Sequence, residues 1–183
     1  MSHDCCSPKH NKKLAAKKGI DPFLAGIGVV TVLLLVGAIF FGSKMGATAQ
    51  DVEPDAEVAM SVAENTYDWG TVDYDGGIVS KTFAIENSGT TPLKLFDVKT
   101  SCMCTTAQLK SASQTSKKFG MHEKSSSVFE VKPGEKAELV VEFDPAFHGP
   151  SGVGPINRTV TMTTNSTDNP TLAFQLTANV FKK

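Results

Sequence analysis

The sequence predicts an all-β antiparallel sandwich of about seven strands, preceded by one N-terminal transmembrane helix. Three observations predict it. Residues 22–41, PFLAGIGVVTVLLLVGAIFF, carry no charge. From about residue 61 onward, apolar and polar side chains alternate in short runs. Turn-forming residues separate those runs, and no helical periodicity falls between them.

The apolar run comes first in the chain. As a helix it would rise roughly 30 Å, which matches the hydrocarbon core of a bilayer. A helix pairs its own backbone groups and so can cross lipid without unsatisfied amides. Its flanks differ in charge. Lys9, Lys12, Lys13, Lys17 and Lys18 precede it against Asp4 and Asp21, whereas Asp51, Glu53, Asp55 and Glu57 follow Lys44. Basic flanks stay on the cytoplasmic side, so the expectation is a single-pass signal-anchor with its N-terminus inside and the rest outside. A cleaved signal peptide is the rival reading, because Ala47-Thr48-Ala49 has the form of a cleavage site. The run exceeds the usual 7–15 residues of a secretory core, which favours retention.

The organisation that follows is a Lys-rich cytoplasmic tail over 1–21, the helix over 22–41, a linker over 42–60 and an exported domain over 61–183. The linker is small, polar and acidic and reaches at most roughly 65 Å. Residues 42–183 hold thirteen basic and seventeen acidic side chains. No basic patch points to nucleic acid, and no phosphate loop or dinucleotide fingerprint points to a nucleotide. Neither a Ser-His-Asp order nor a His-Glu-x-x-His pattern is present, so the chain is not read as an enzyme and no catalytic residue is assigned.

Each strand is read by period-two alternation. Val79, Phe83 and Ile85 share a face, and Asn87-Ser88-Gly89 turns the chain. Leu93 and Leu95 follow, then Phe129 and Val131 before a Lys132-Pro133-Gly134-Glu135 turn. Ala137, Leu139, Val141 and Phe143 alternate with Glu138, Val140 and Glu142, and Asp144-Pro145 stops that strand. Val160, Met162 and Thr164 come next, and after Asp168-Asn169-Pro170 the last strand carries Leu172, Phe174, Leu176, Ala178 and Val180. Parallel sheets need crossover helices, which are missing, so an antiparallel sandwich is the economical answer. Two segments break the rhythm. Residues 108–127 read as a long, disordered Ser/Lys loop, and residues 147–155 are rich in Gly and Pro.

Cys102-Met103-Cys104 is the one clear chemical candidate. Three readings stand. The two thiols are a redox pair, although residues two apart on a strand lie ~6.6 Å apart, at the far edge of what a disulfide spans. Alternatively, with Met103 they form a soft-metal site suited to Cu(I), which Met121, His122 or His148 would complete. In the third reading they are small residues that pack at the sandwich rim. Trp69 reads as a core or rim anchor. His3, Cys5, Cys6 and His10 fall in a solvated tail. Asn157-Arg158-Thr159 and Asn165-Ser166-Thr167 match glycosylation sequons, which matter only in a eukaryotic secretory route.

The exported part also resembles a known family. Tyr67-Asp68-Trp69-Gly70-Thr71-Val72 opens the resemblance, and Lys81-Thr82-Phe83 with Ile85-Glu86-Asn87-Ser88-Gly89 continues it. Thr100-Ser101-Cys102-Met103-Cys104-Thr105-Thr106, Pro133-Gly134-Glu135, Val141-Glu142-Phe143-Asp144-Pro145 and Thr163-Thr164-Asn165 complete it. Over about residues 65–181 the chain is similar to the bacterial domain of unknown function 1573 family, itself related to Hydin and major-sperm-protein-type domains. Members more often carry Gly where this chain has Met103, and they join the C-x-C to the Pro-Gly turn by a shorter loop. The resemblance implies an immunoglobulin-like sandwich of bacterial origin; together with the apolar run and its basic flank, the expectation is a bacterial inner-membrane protein with a periplasmic domain. The resemblance implies a fold rather than an activity.

Two functions are therefore expected of different kinds. One is a membrane-anchored binding or scaffold module in contact with the lipid bilayer and a protein partner, as an accessory subunit of a membrane complex and without a cofactor. The other is a thiol-redox or copper-handling protein built on Cys102 and Cys104.

Overall fold

The computed structural model describes residues 22–42, 52–122 and 127–183. The tail with Cys5 and Cys6 and the Ala47-Thr48-Ala49 site lie outside the described residues. The chain divides into two units, Met1–Gly46 and Ala47–Lys183.

The first unit contains α1, Pro22–Gly42. Proline suits a first helical turn because its missing N–H would have no partner there. Inside the helix the Thr31 hydroxyl donates to the Ile27 carbonyl at 2.8 Å, so its one polar side chain is satisfied locally. The side chains described, at 22, 23 and 25–36, are all exposed. Among the described residues no helix is long and apolar enough to cross a membrane. The expected membrane crossing thus finds no support there. The described side chains stop at Val36, short of the helix end.

The second unit is a β-sandwich of two five-stranded sheets. One sheet runs in the order β1 (Met60–Val62), β3 (Val79–Asn87), β8 (Lys136–Phe143), β5 (Thr105–Lys110), β6 (Thr115–Phe119). The other runs β2 (Thr66–Asp73), β10 (Thr171–Phe181), β9 (Gly154–Thr164), β4 (Leu93–Thr100), β7 (Phe129–Val131). About seven strands were expected and ten are found among the described residues. Short edge strands carry too few residues for alternation to register, and β1 and β7 have three each. The sheets are also not wholly antiparallel. β2 lies parallel to β10, with Leu176 opposite Tyr67 and Val180 opposite Val72. The connection between these strands passes through the whole domain, so no crossover helix is required.

The alternation sets the core. Phe83, Ile85, Leu139, Val141, Phe174 and Leu176 are all buried and face one another between the sheets, with Leu93, Leu95, Val160 and Met162. Leu172 packs against this cluster while only partly buried. The two Pro-Gly and Asn-Ser-Gly turns lock together. Gly134 adopts a positive φ of 76° and its N–H donates to Asn87 O at 2.9 Å. Packed chain also begins ahead of residue 61. Val58 is buried, and Asp55 bridges Ser166.

Over residues 108–122 the structure corrects the expected loop, and residues 123–126 of it lie outside the described residues. β5 extends to Lys110, the chain turns, and β6 returns with Ala107 opposite Phe119 and Lys110 opposite Thr115. Phe119 is buried in the main core. One buried ring, together with the β5 ladder, organises a segment whose polar composition suggested disorder.

Candidate functional site

The connections β2–β3, β4–β5 and β8–β9 each pass from one sheet to the other, and register places them at the same end of the sandwich. Val79 pairs with Phe143, Phe143 with Thr105, and Thr100 with Val160. The Cys102-Met103-Cys104 segment is the β4–β5 connection. The chain enters the domain at the opposite end, where Asp55 lies beside Ser166.

The C-x-C is a tight turn rather than part of a strand. Its Cα atoms at 102 and 104 are 5.3 Å apart, and the two sulfurs are in bonding contact as a disulfide. This is closer than the strand spacing assumed from sequence, because the backbone bends: Thr105 N–H donates to Cys102 O at 3.2 Å. The Thr100 hydroxyl donates to the same carbonyl at 3.0 Å. Ser101 is clipped to β9 by its N–H to Thr159 O and by its Oγ, which accepts from Thr159 N–H, both at 2.9 Å. Asp144 N–H donates to Cys104 O at 2.9 Å. The turn is thus held by backbone and hydroxyl bonds on both of its sides.

Two basic side chains reach the sulfurs. His148 Nε2 lies 3.1 Å from Cys102 Sγ, and Arg158 Nε donates to Cys104 Sγ at 3.1 Å. Cys104 N–H also points at Cys102 Sγ, at 3.3 Å. Cys104 is buried, Cys102 half-buried and His148 exposed, and their three donor atoms lie within 4.8 Å of one another. The rings of Phe147 and His148 meet edge to face at 5.1 Å. Burial lowers the pKa of Arg158 from its ordinary value, yet an arginine remains cationic at any physiological pH. Its guanidinium sits 5.8 Å above the Phe143 ring.

Beneath the turn, Cys104, Phe143 and Val180 form a small buried cluster, flanked by Trp69 and Ile156. Trp69 stacks on Phe143 at 5.7 Å, and its indole N–H donates to Ser80 O at 3.4 Å. It is a rim anchor, as its composition suggested.

Of the residues singled out in the sequence, the structure brings together Cys102, Cys104 and His148. Met103 lies on the turn with its side chain exposed. Met121 and His122 follow β6 and are exposed, outside the three-residue cluster. Arg158 was missed as a site residue, although a signal existed. It shares the inward face of β9 with Val160 and Met162, and an arginine in an inward register needs a partner. Asn165 of the second sequon is buried and its side-chain amide donates to Pro92 O at 3.1 Å, so that amide is already used.

Comparison with known proteins agrees with the sandwich. Residues 60–180 match the family described as Protein of unknown function (DUF1573). No curated protein matches the chain. Among solved structures, a protein of unknown function from Porphyromonas gingivalis W83 aligns with a TM-score of 0.51 at 21% identity, over 74% of this chain and 51% of that one. The chain therefore spans about half the length of that protein. The ASH/PapD-like domain 7 of human CEP192 aligns with a TM-score of 0.43 at 17% identity, over 71% of this chain and 89% of that one. A family 123 glycoside hydrolase from Clostridium perfringens gives 0.47 at 9% identity, over 69% and 28%.

Proposed function

The chain belongs to the DUF1573 family, and we propose that this member is a membrane-anchored, extracytoplasmic binding module that docks a protein partner through the C-x-C end of its sandwich. One observation carries the reading. The large apolar side chains exposed on the described part of the domain are Ile78, Met103, Met121, Phe147 and Val153, between 43% and 64% exposed. Ile78, Met103, Phe147 and Val153 belong to the three connections at that end, and Met121 follows β6 there, next to Gly120, whose carbonyl accepts from Thr100 N–H. Scattered exposed apolar residues need no explanation, but a set gathered at one end marks a contact surface. Sandwich domains commonly bind through the loops at one end.

Anchoring rests on the sequence of the N-terminal segment. The run 22–41 has no charge and the helix covers all of it, including residues whose side chains are not described. The lysine-rich flank before it supports a cytoplasmic N-terminus and a sandwich in the periplasm of a bacterial cell. The net negative charge of the exported part argues against nucleic acid.

Two experiments test the proposal. In spheroplasts, added protease should digest residues 61–183 and spare the N-terminal tail; a mature chain starting at Gln50 would refute the anchor. A partner cross-linked in intact cells and purified with the wild-type chain should be lost from Met103→Asp and Phe147→Asp, while Gln175→Asp on an exposed strand position retains it. Equal recovery from all three would refute docking at this end.

A further inference from the structure

We propose that Cys102, Cys104 and His148 form a three-coordinate Cu(I) site, available when the Cys102–Cys104 bond is reduced. This goes beyond partner docking and rests on other atoms. A disulfide uses the two sulfurs alone and leaves His148 without a task. A soft metal uses all three donors, which already lie within 4.8 Å of one another. Thiolate and imidazole are both ligands that Cu(I) accepts.

Charge selects the metal. Two thiolates and Cu(I) carry a net charge of −1, which the Arg158 guanidinium at 3.1 Å from Cys104 Sγ neutralises. Two thiolates and Zn(II) are neutral already, so the same guanidinium would be left as an uncompensated, partly buried cation beside the metal. Three protein donors also fall short of the four that a closed structural zinc site takes.

Loading balances as follows. A dithiol reductant delivers two electrons and two protons to the Cys102–Cys104 bond, gives two thiols and leaves as its own disulfide. Cu(I) then displaces the two thiol protons into solvent, with no change in its oxidation state. His148 binds through Nε2 as the neutral imidazole. The turn need not be rebuilt, because its carbonyls at 102 and 104 are held by Thr105, Thr100 and Asp144.

The test uses the full chain in detergent, carrying Cys5→Ser and Cys6→Ser so that tail thiols contribute nothing. The reduced chain is titrated with Cu(I) against bicinchoninate under anaerobic conditions. One Cu(I) per chain is expected to resist the competitor, and none in the oxidised chain. Cys102→Ser should remove binding, with Trp69 fluorescence reporting that the domain is folded. His148→Ala should weaken it at least ~10-fold, and Met121→Ala with His122→Ala should not. Loss of outer-shell partners typically costs ~10–100-fold in metal affinity, so Arg158→Gln should weaken Cu(I) by about that factor while leaving Zn(II) affinity equal or higher. The proposal is overturned if the reduced chain yields its copper as readily as folded Cys102→Ser. It is also overturned if His148→Ala binds as tightly as the parent, or if Arg158→Gln weakens both metals alike. A pair that exchanges with glutathione yet holds no Cu(I) would make the site purely redox and equally refute it.

Discussion

Phe119→Ala tests the hairpin that composition concealed. Phe119 is 2% exposed and packs in the main core from the edge strand β6. A buried Phe removes roughly 150–250 Å² from water, which at about 25 cal/mol per Å² corresponds to about 4–6 kcal/mol before the remaining Cβ is credited. Measured Phe→Ala changes in cores cluster at about 3–5 kcal/mol. An edge strand can settle inward or admit water, so the lower end applies and about 3 kcal/mol is expected. Trp69 is the only Trp in the chain and lies in the sandwich, so its fluorescence in a urea titration of the full chain isolates this domain. The midpoint should fall at an unchanged slope, and the melting temperature should drop by about 10 °C. Ser113→Ala, in the exposed turn of the same hairpin, should stay within about 0.5 kcal/mol. If Phe119→Ala matched Ser113→Ala, residues 111–122 would be a solvated loop and the reasoning would fail.

Phe174→Ala removes a fully buried ring that packs on Phe83 at 5.0 Å and should cost about 3–5 kcal/mol by urea unfolding, whereas Gln175→Ala beside it should be near neutral. Asn87 is fully buried. Its amide donates to Thr91 O and Val131 O and its oxygen accepts from Gly89 N–H, so Asn87→Ala should lower stability by about 3 kcal/mol or more. Gly89→Ala would bring a Cβ within 2.7 Å of Ala59 N and 2.9 Å of Glu57 O, both backbone, and should cost about 1–3 kcal/mol in the same assay. The Lys118 hydrogen bond at 2.6 Å holds the Glu142 carboxyl below its ordinary pKa of 4.5. A depressed carboxylate stabilises the fold above its unfolded pKa and loses that contribution as pH falls through its folded value. Wild type should therefore exceed Glu142→Gln by at most about 1 kcal/mol at pH 7, and the gap should close below pH 4.5. A gap that widened in acid would reverse the sign and refute the assignment.

Alternation made the long strands legible. Ala137, Leu139, Val141 and Phe143 all face inward, as their spacing predicts. It failed where the physical signal was short or shared. β1 and β7 are too brief to show a period, and in β6 a single buried Phe119 stands among Thr, Ser and Lys. The parallel pairing of β2 with β10 joins segments about a hundred residues apart, and nothing local encodes it. The site was legible in part for the same reason. Cys102 and Cys104 mark themselves by chemistry. The 46-residue separation of His148 and the 54-residue separation of Arg158 from their sulfurs close only once both crossovers fall at one end.

The docking surface and the thiol site share a turn, yet the bonds around it argue that they separate. Apart from the Cys104 N–H, which points at Cys102 Sγ, the hydrogen bonds that fix the backbone from 101 to 104 come from Thr105, Thr100, Thr159 or Asp144. None depends on the sulfurs being joined. Cys102→Ser should therefore keep Met103 presented and leave capture of the docking partner within about threefold, a change below 1 kcal/mol. Met103→Gln makes the contact surface polar without adding charge beside the sulfurs, so it should weaken capture and leave Cu(I) binding of the reduced chain unchanged. Purification of the partner and bicinchoninate competition on the same two variants read both outcomes. Loss of the partner from a folded Cys102→Ser chain would mean that the sulfur bond, rather than the surrounding hydrogen bonds, shapes the docking end.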